Sequence, residues 1–195
     1  METELSRLLR AERPERPDAL YAFAIARSWF LEGRRVDLRE LSTELEISRA
    51  TLFRWVGNRD QLLGEILWSI TEDVFEARSK TAPGTGAKRL AVAIGAFVRT
   101  VNEAEAFREF VRREPERALR ILTTKASVVQ SRIIAKLEEL LEAEVREGGL
   151  NPPLPVPDLA YLIVRIGESF IYTDIITGEE PDADKAQAAI EALLR

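Results

Sequence analysis

Asp-Leu-Arg-Glu-Leu-Ser-Thr-Glu-Leu-Glu-Ile-Ser-Arg-Ala-Thr-Leu-Phe-Arg-Trp-Val-Gly-Asn-Arg-Asp-Gln-Leu-Leu, residues 37–63, packs three helix starts into one short stretch. Asp37 followed by Glu40 is an Asp-x-x-Glu pattern that satisfies free amides at a helix N-terminus. Leu38, Leu41 and Leu45 then share one helical face. Ser48 is the next cap, ahead of about two turns from Arg49 to Val56. Asn58 with Gln61 repeats the cap-plus-three arrangement and opens a further helix. Two short helices joined at Glu46-Ile47, with Leu41, Leu45, Ile47 and Leu52 as shared core, form the pattern of a helix-turn-helix. Its second helix exposes Arg49, Ala50, Thr51, Phe53 and Arg54 to solvent. Arg suits guanine O6/N7, Ala and Thr suit a thymine methyl, and Ser48 with nearby amides suits phosphate. Caps and leucines alone fit equally a helical hairpin packed inside another α-domain.

The run Ser48-Arg-Ala-Thr-Leu-Phe-Arg-Trp-Val-Gly-Asn-Arg-Asp-Gln-Leu-Leu63 resembles the TetR-family signature, Ser-Lys-Gly-Thr-Leu-Tyr-x-His-Phe-x-x-Lys-Glu-x-Leu-Leu in its usual form. The resemblance runs from Asp18 to Leu63 and includes Leu38-Arg-Glu-Leu-Ser42 and a helix-ending Gly33. It implies recognition-helix places for Arg49 and Thr51 and a phosphate-binding place for Arg59; Arg39, Ser48, Ala50, Phe53, Arg54 and Trp55 complete the expected DNA-binding set. Three positions depart from the pattern. Phe53 replaces Tyr and loses a hydroxyl; Trp55 replaces His but keeps an N–H donor. Glu46 replaces the turn glycine, where a left-handed conformation costs about 1–2 kcal/mol.

Composition narrows the function classes. With no Cys and no His in 195 residues, disulfides, Cys/His zinc sites, Cys nucleophiles and Ser-His-Asp triads are excluded. No apolar run reaches the ~20 residues that span a bilayer, and the start of the chain is polar, so a cytoplasmic location is expected. The net charge of −5 is unevenly spread: residues 1–60 hold 11 Arg and 11 acidic groups, so the acidity lies in the remainder. Attraction to phosphate must therefore come from local geometry.

Three segments are expected: an arm over 1–17, a helix-turn-helix domain over 18–63, and a ligand-binding and dimerisation domain over 64–195. The whole reads as all-α, with about nine helices. In the arm, Arg7, Arg10, Arg13 and Arg16 form either a solvated leader or a minor-groove contact. Helix 1, capped by Asp18, is expected to turn Leu20, Phe23, Ala24 and Phe30 or Leu31 inward. The next long helix, Asp60 to about Lys80, has an apolar stripe too long for a small head. Thr81–Gly86 is a linker, since Gly84-Thr-Gly-Ala-Lys88 lacks phosphate-loop spacing. Helices are then expected over 87–102, near 107–114, over 116–122, over 126–147, over 158–176 with Asp158 as cap, and over 183–194 with Asp182 as cap. Glu138, Glu139, Glu142 and Glu144 read as a solvated face rather than catalytic carboxylates.

Two helices carry a second, small-residue face: Ala160, Val164, Gly167, Ile171 and Ile175, with Ala186, Ile190 and Leu193. That face predicts a four-helix interface between two copies, the alternative being a fully intramolecular core. Arg165–Asp174, with Glu114–Thr123, also resembles the QsdR-type branch of the same family over roughly residues 105–190. The resemblance implies a homodimeric regulator, repressor in type, that binds a double-stranded palindromic operator and is released by a small molecule. Candidate ligand walls are Trp68, Phe97, Phe107 and Phe110. Arg165 and Glu168 either pair with each other or meet the effector. No cofactor, metal or membrane is called for. The competing readings are an all-α enzyme using carboxylates or a bound cofactor, and an architectural DNA-binding protein without a ligand switch.

Overall fold

The computed structural model describes residues 17–195, and among these it contains eleven α-helices and no strand. The arm and its arginines, including Arg7, Arg10, Arg13 and Arg16, lie outside the described residues. Helices α1 (Ala19–Leu31), α2 (Leu38–Glu44), α3 (Arg49–Val56) and α4 (Arg59–Thr81) follow the expected starts closely. The remainder are α5 (Gly86–Glu103), α6 (Glu105–Arg113), α7 (Pro115–Thr123), α8 (Val129–Arg146), α9 (Val156–Ile171), α10 (Thr173–Ile176) and α11 (Ala183–Leu193). The count exceeds nine partly because the expected 158–176 helix breaks at Tyr172, whose ψ of 16° ends α9 and leaves α10 as a separate turn. That helix also begins earlier than expected, at Val156, so Asp158 sits in its first turn rather than at its cap. Two compact units divide between Ile66 and Leu67.

The first unit is built from local capping. Asp18 accepts from Tyr21 N at 2.8 Å, Asp37 from Arg39 N at 2.7 Å, and Ser48 from Thr51 N at 3.1 Å. Asn58 and Gln61 cap each other: Gln61 N donates to Asn58 Oδ1 at 2.9 Å, and Asn58 N to Gln61 Oε1 at 2.8 Å. Gly33, at φ 72°, ends α1 in the left-handed conformation. Of the expected inner face of α1 only Phe30 is fully buried: Ala22, Ala26 and Trp29 turn inward with it, while Leu20 and Leu31 are exposed. Ala24 is exposed and Phe23 half-buried. An apolar helix with alanines offers more than one plausible face, and Trp29 decides it. Arg34 lies 3.8 Å over the Trp29 ring and pairs with Glu40 on α2 at 3.1 Å. Val36, Leu41, Leu45, Leu52, Leu62, Leu63 and Ile66 complete the core.

The second unit centres on α5, α9 and α11, with α8 against α9. A Cβ added at Gly95 of α5 would lie 2.7 Å from Gln187 Cβ, so the absent side chain is what lets α5 and α11 approach. Gly167 on α9 stands against Val98 of α5. Phe75, Leu90, Ile94, Val98, Leu137, Leu141, Leu159 and Ile163 fill the core.

One carboxylate of α8 departs from the expected solvated face. Glu144 is 2% exposed, accepts from Gly86 N at 2.7 Å, and pairs with Arg89. Arg89 also donates to Ser79 O at 3.1 Å. The end of α4, the start of α5 and the end of α8 therefore share one ion. Gly86 fits there because it has φ 60° and because a Cβ would meet Gly149 O at 1.9 Å. Replacing Glu144 by Ala strands a guanidinium and an amide, and should cost roughly 2–4 kcal/mol in urea unfolding. Glu138→Ala, on the same helix, should stay within about 0.5 kcal/mol.

Candidate functional site: a helix-turn-helix face and a buried charge in the body

The turn between α2 and α3 is closed by Glu46 N donating to Thr43 O at 3.1 Å and Ile47 N to Ser42 O at 3.0 Å. Glu46 has φ 56°, so a glutamate occupies the left-handed turn position expected for glycine. Leu52 is 1% exposed and anchors α3 in the core through its inner side. The outer side carries Arg49, Ala50, Phe53 and Arg54, all exposed, with Thr51 half-buried and Ser48 exposed at the cap. The exposure of Arg49, Ala50, Phe53 and Arg54 was legible in the sequence, because helical spacing with one buried leucine fixes it, whereas Thr51 was expected to be exposed.

The other predicted contacts divide. Arg39 is exposed on α2, whereas Trp55 is half-buried. Arg59 is half-buried, and its Nε donates to Val36 O at 2.6 Å, so the first residue of α4 is tied to the segment before α2. This positioning role was hidden from the sequence, which shows no link between residues 23 positions apart. The amides of Arg39 and Glu40 hold the Asp37 carboxyl below the usual carboxylate range, which keeps that cap charged.

In the body, the proposed ligand aromatics are held against other side chains. The Arg132 guanidinium lies 5.7 Å over the buried Trp68 ring. Phe97 meets Phe75 edge-on at 5.9 Å, Phe107 lies tilted 6.5 Å from Tyr172, and Phe110 is buried. A cleft of about 790 Å³ is lined instead by Arg99, Asn102, Arg108, Asp174 and residues 178–185, and none of the six predicted ligand residues lines it. Its lining is polar; Arg108 pairs there with Asp174 and donates to Ile171 O at 2.9 Å.

Arg165 and Glu168 do pair, Nη1 to Oε2 at 2.5 Å, with the arginine side chain 44% exposed and the carboxylate 11%. Gln130, with its amide nitrogen turned inward, donates to Glu168 Oε1 and to Leu122 O, each at 2.8 Å. Gln130 had no sequence signal, since its partner is on another helix. Burial pushes the Glu168 carboxyl up to about 7, against the opposing pull of Arg165 and of the Gln130 hydrogen bond. The fully buried Tyr172 hydroxyl is also pushed up, by burial and by Glu168.

Much of the expected dimer face is already covered within one chain. Ala160, Ala186 and Ile190 are 0% exposed within one chain, Ile171 is 6% and Val164 9%. Gly167 is buried as well, while Ile175 and Leu193 are half-buried. This small-residue stripe is used inside the protomer, against α5 and between α9 and α11. The outward stripe of α9 is different: Tyr161 is 51% exposed and Leu162 37%, with Arg165 and Ser169 along the same side.

A capped helix-turn-helix followed by an all-helical body is the architecture of a DNA-binding transcriptional regulator. Residues 85–195 match the family model of the tetracyclin repressor-like C-terminal domain. The solved structure of the R. erythropolis transcriptional repressor QsdR, from the TetR family, aligns with a TM-score of 0.84 and 30% identity, covering 90% of this chain and 93% of that one. The TetR-family transcriptional regulator PfmR from Thermus thermophilus aligns at TM-score 0.47 and 19% identity, over 89% of this chain and 97% of that one. No curated protein sequence matches. The chain belongs to the TetR family of DNA-binding transcriptional regulators, which sets the enzyme reading aside. Among the described residues, no helix is long and apolar enough to cross a membrane.

Glu168 gives a pH test with a definite sign. Its folded-state carboxyl lies near 7, above the ordinary 4.5, so its ionisation weakens the fold. Stability should fall as pH rises from about 4.5 through 7, by roughly 3 kcal/mol relative to the Glu168→Gln protein. Urea unfolding of both proteins at pH 5 and pH 8 reads the difference.

Proposed function

We propose that this regulator is a repressor that binds a palindromic operator as a homodimer and leaves it when a small molecule binds the body. The observation that carries the reading is the outer face of α3, where Arg49, Ala50, Phe53 and Arg54 stand exposed while Leu52 is sealed beneath them. Small and basic side chains at the N-terminal end of a second helix suit the major groove. Ser48 and Thr51 supply the cap, and Arg39 and Arg59 flank it. The repressor sense follows the QsdR relative, which is described as a transcriptional repressor.

A two-fold dimer must place its two α3 helices about 34–36 Å apart to meet successive major grooves. A ligand weakens such binding only by preferring a conformation with another spacing. Because α4 is one continuous helix with residues in both units, it is the proposed lever. For the effector, Arg165 and Glu168 are kept as the proposed contacts, although here their charges are satisfied by each other. For the contact between copies, the outward Tyr161 and Leu162 of α9 now replace the small-residue stripe, since two exposed apolar side chains side by side lose water only against a partner.

Two measurements test this. On DNA from upstream of its own coding region, against random competitor and at two salt concentrations, the wild type should bind specifically. Arg49→Ala and Arg54→Ala should each lose about tenfold or more in affinity; retention of full affinity in both would remove α3 from the groove. In sedimentation, Leu162→Glu should weaken self-association by roughly tenfold or more, and Ala188→Glu on α11 should leave it unchanged. The reverse pattern would move the interface to α11.

A further inference from the structure

The exposed face of α3 is basic at its ends and apolar at its centre. Arg49 and Ala50 lie one turn before Phe53, and Arg54 lies one turn after Ala50. Phe53 is 59% exposed and has no ring or cation partner among the described residues. The hydroxyls nearby are already engaged: Ser48 Oγ accepts from Thr51 N at 3.1 Å and lies 2.9 Å from Thr51 Oγ1. A phenyl ring offers phosphate neither a donor nor a charge. Its contribution to an interface comes from shedding water against another apolar group. In the major groove the apolar group on a base edge is the C5 methyl of a pyrimidine.

We infer that Phe53, on the exposed face of α3 that also carries Arg49 and Arg54, is a specificity-determining residue that reads a pyrimidine C5 methyl. This rests on the DNA-binding role of α3 proposed above. Thymine and 5-methylcytosine carry the same methyl, and a ring packed on it has no means of telling them apart. Discrimination between those two falls to hydrogen bonds at the neighbouring base edge, within reach of Arg49 or Arg54. Phe53 thereby shifts this contact from sequence-independent attraction to base reading. A tyrosine there would keep the ring and add a hydroxyl able to meet phosphate.

The test uses the full chain, with Phe53→Ala and Phe53→Tyr beside it; all three should give the same circular dichroism, because the side chain is outside the core. Selection from a randomised duplex library gives the preferred site of the wild type. Each thymine of that site is then replaced singly by deoxyuridine, which removes only the methyl, and each cytosine by 5-methylcytosine, which adds one. At one position per half-site, loss of the methyl should weaken wild type and Phe53→Tyr by roughly three- to tenfold and leave Phe53→Ala unchanged. A gain on methylating cytosine, with no loss at any thymine, would identify 5-methylcytosine as the source. A selected site at which no methyl matters, or at which Phe53→Ala responds like wild type, overturns the inference and leaves the DNA-binding reading standing. A library from which the wild type selects nothing overturns both.

Discussion

The body is organised around a negative charge taken out of water. A carboxylate that is 2% exposed survives in an apolar interior only when its lone pairs are occupied, and Glu144 has an amide on one oxygen and a guanidinium on the other. Each partner belongs to a different part of the chain. Gly86 begins α5, and Arg89, one turn further on, reaches Ser79 near the end of α4. The glycine-rich connection between α4 and α5 is therefore fixed in place rather than loose. From that point α5 packs against both α9 and α11, and its Gly95 sets how near α11 can come.

The head is held differently, by many short-range hydrogen bonds. Four helix starts each carry a side-chain cap within three residues, and the α4 cap is reciprocal. Such contacts are written in consecutive residues, and for this reason the sequence was readable there: Asp37, Ser48, Asn58 and Gln61 act as their spacing suggests. The outward set on α3 was legible for the same reason. What failed in the head was the face of α1, where alanines and two large aromatics outcompete Leu20 for the core.

The body was harder to read from residue order, because its decisive contacts join distant residues. Glu144 and Arg89 are 55 positions apart, and nothing near Glu144 marks it as different from Glu138 or Glu142. The stripe of Ala160, Gly167 and Ala186 did announce close helix approach, but a small residue says only that another backbone is near, not whose. Here α5 of the same chain fills that place, with Val98 against Gly167. Tyr161 and Leu162, two ordinary apolar residues in the sequence, were left outside instead. Among the ligand candidates, pairing of Arg165 with Glu168 was readable from their i, i+3 spacing, whereas Gln130 was not.

The glutamate in the turn before α3 has an electrostatic consequence. Glu46 is exposed and lies two residues ahead of the Ser48 cap, in a chain whose first 60 residues balance 11 arginines with 11 acids. In the binding mode proposed for α3, a fixed anion beside that helix repels every phosphodiester strand alike, whatever its bases. It lowers the background of indiscriminate adhesion without touching the difference between a right and a wrong site. In that mode a charge-balanced head would dwell less on bulk chromosome and depend more on what its outward side chains recognise.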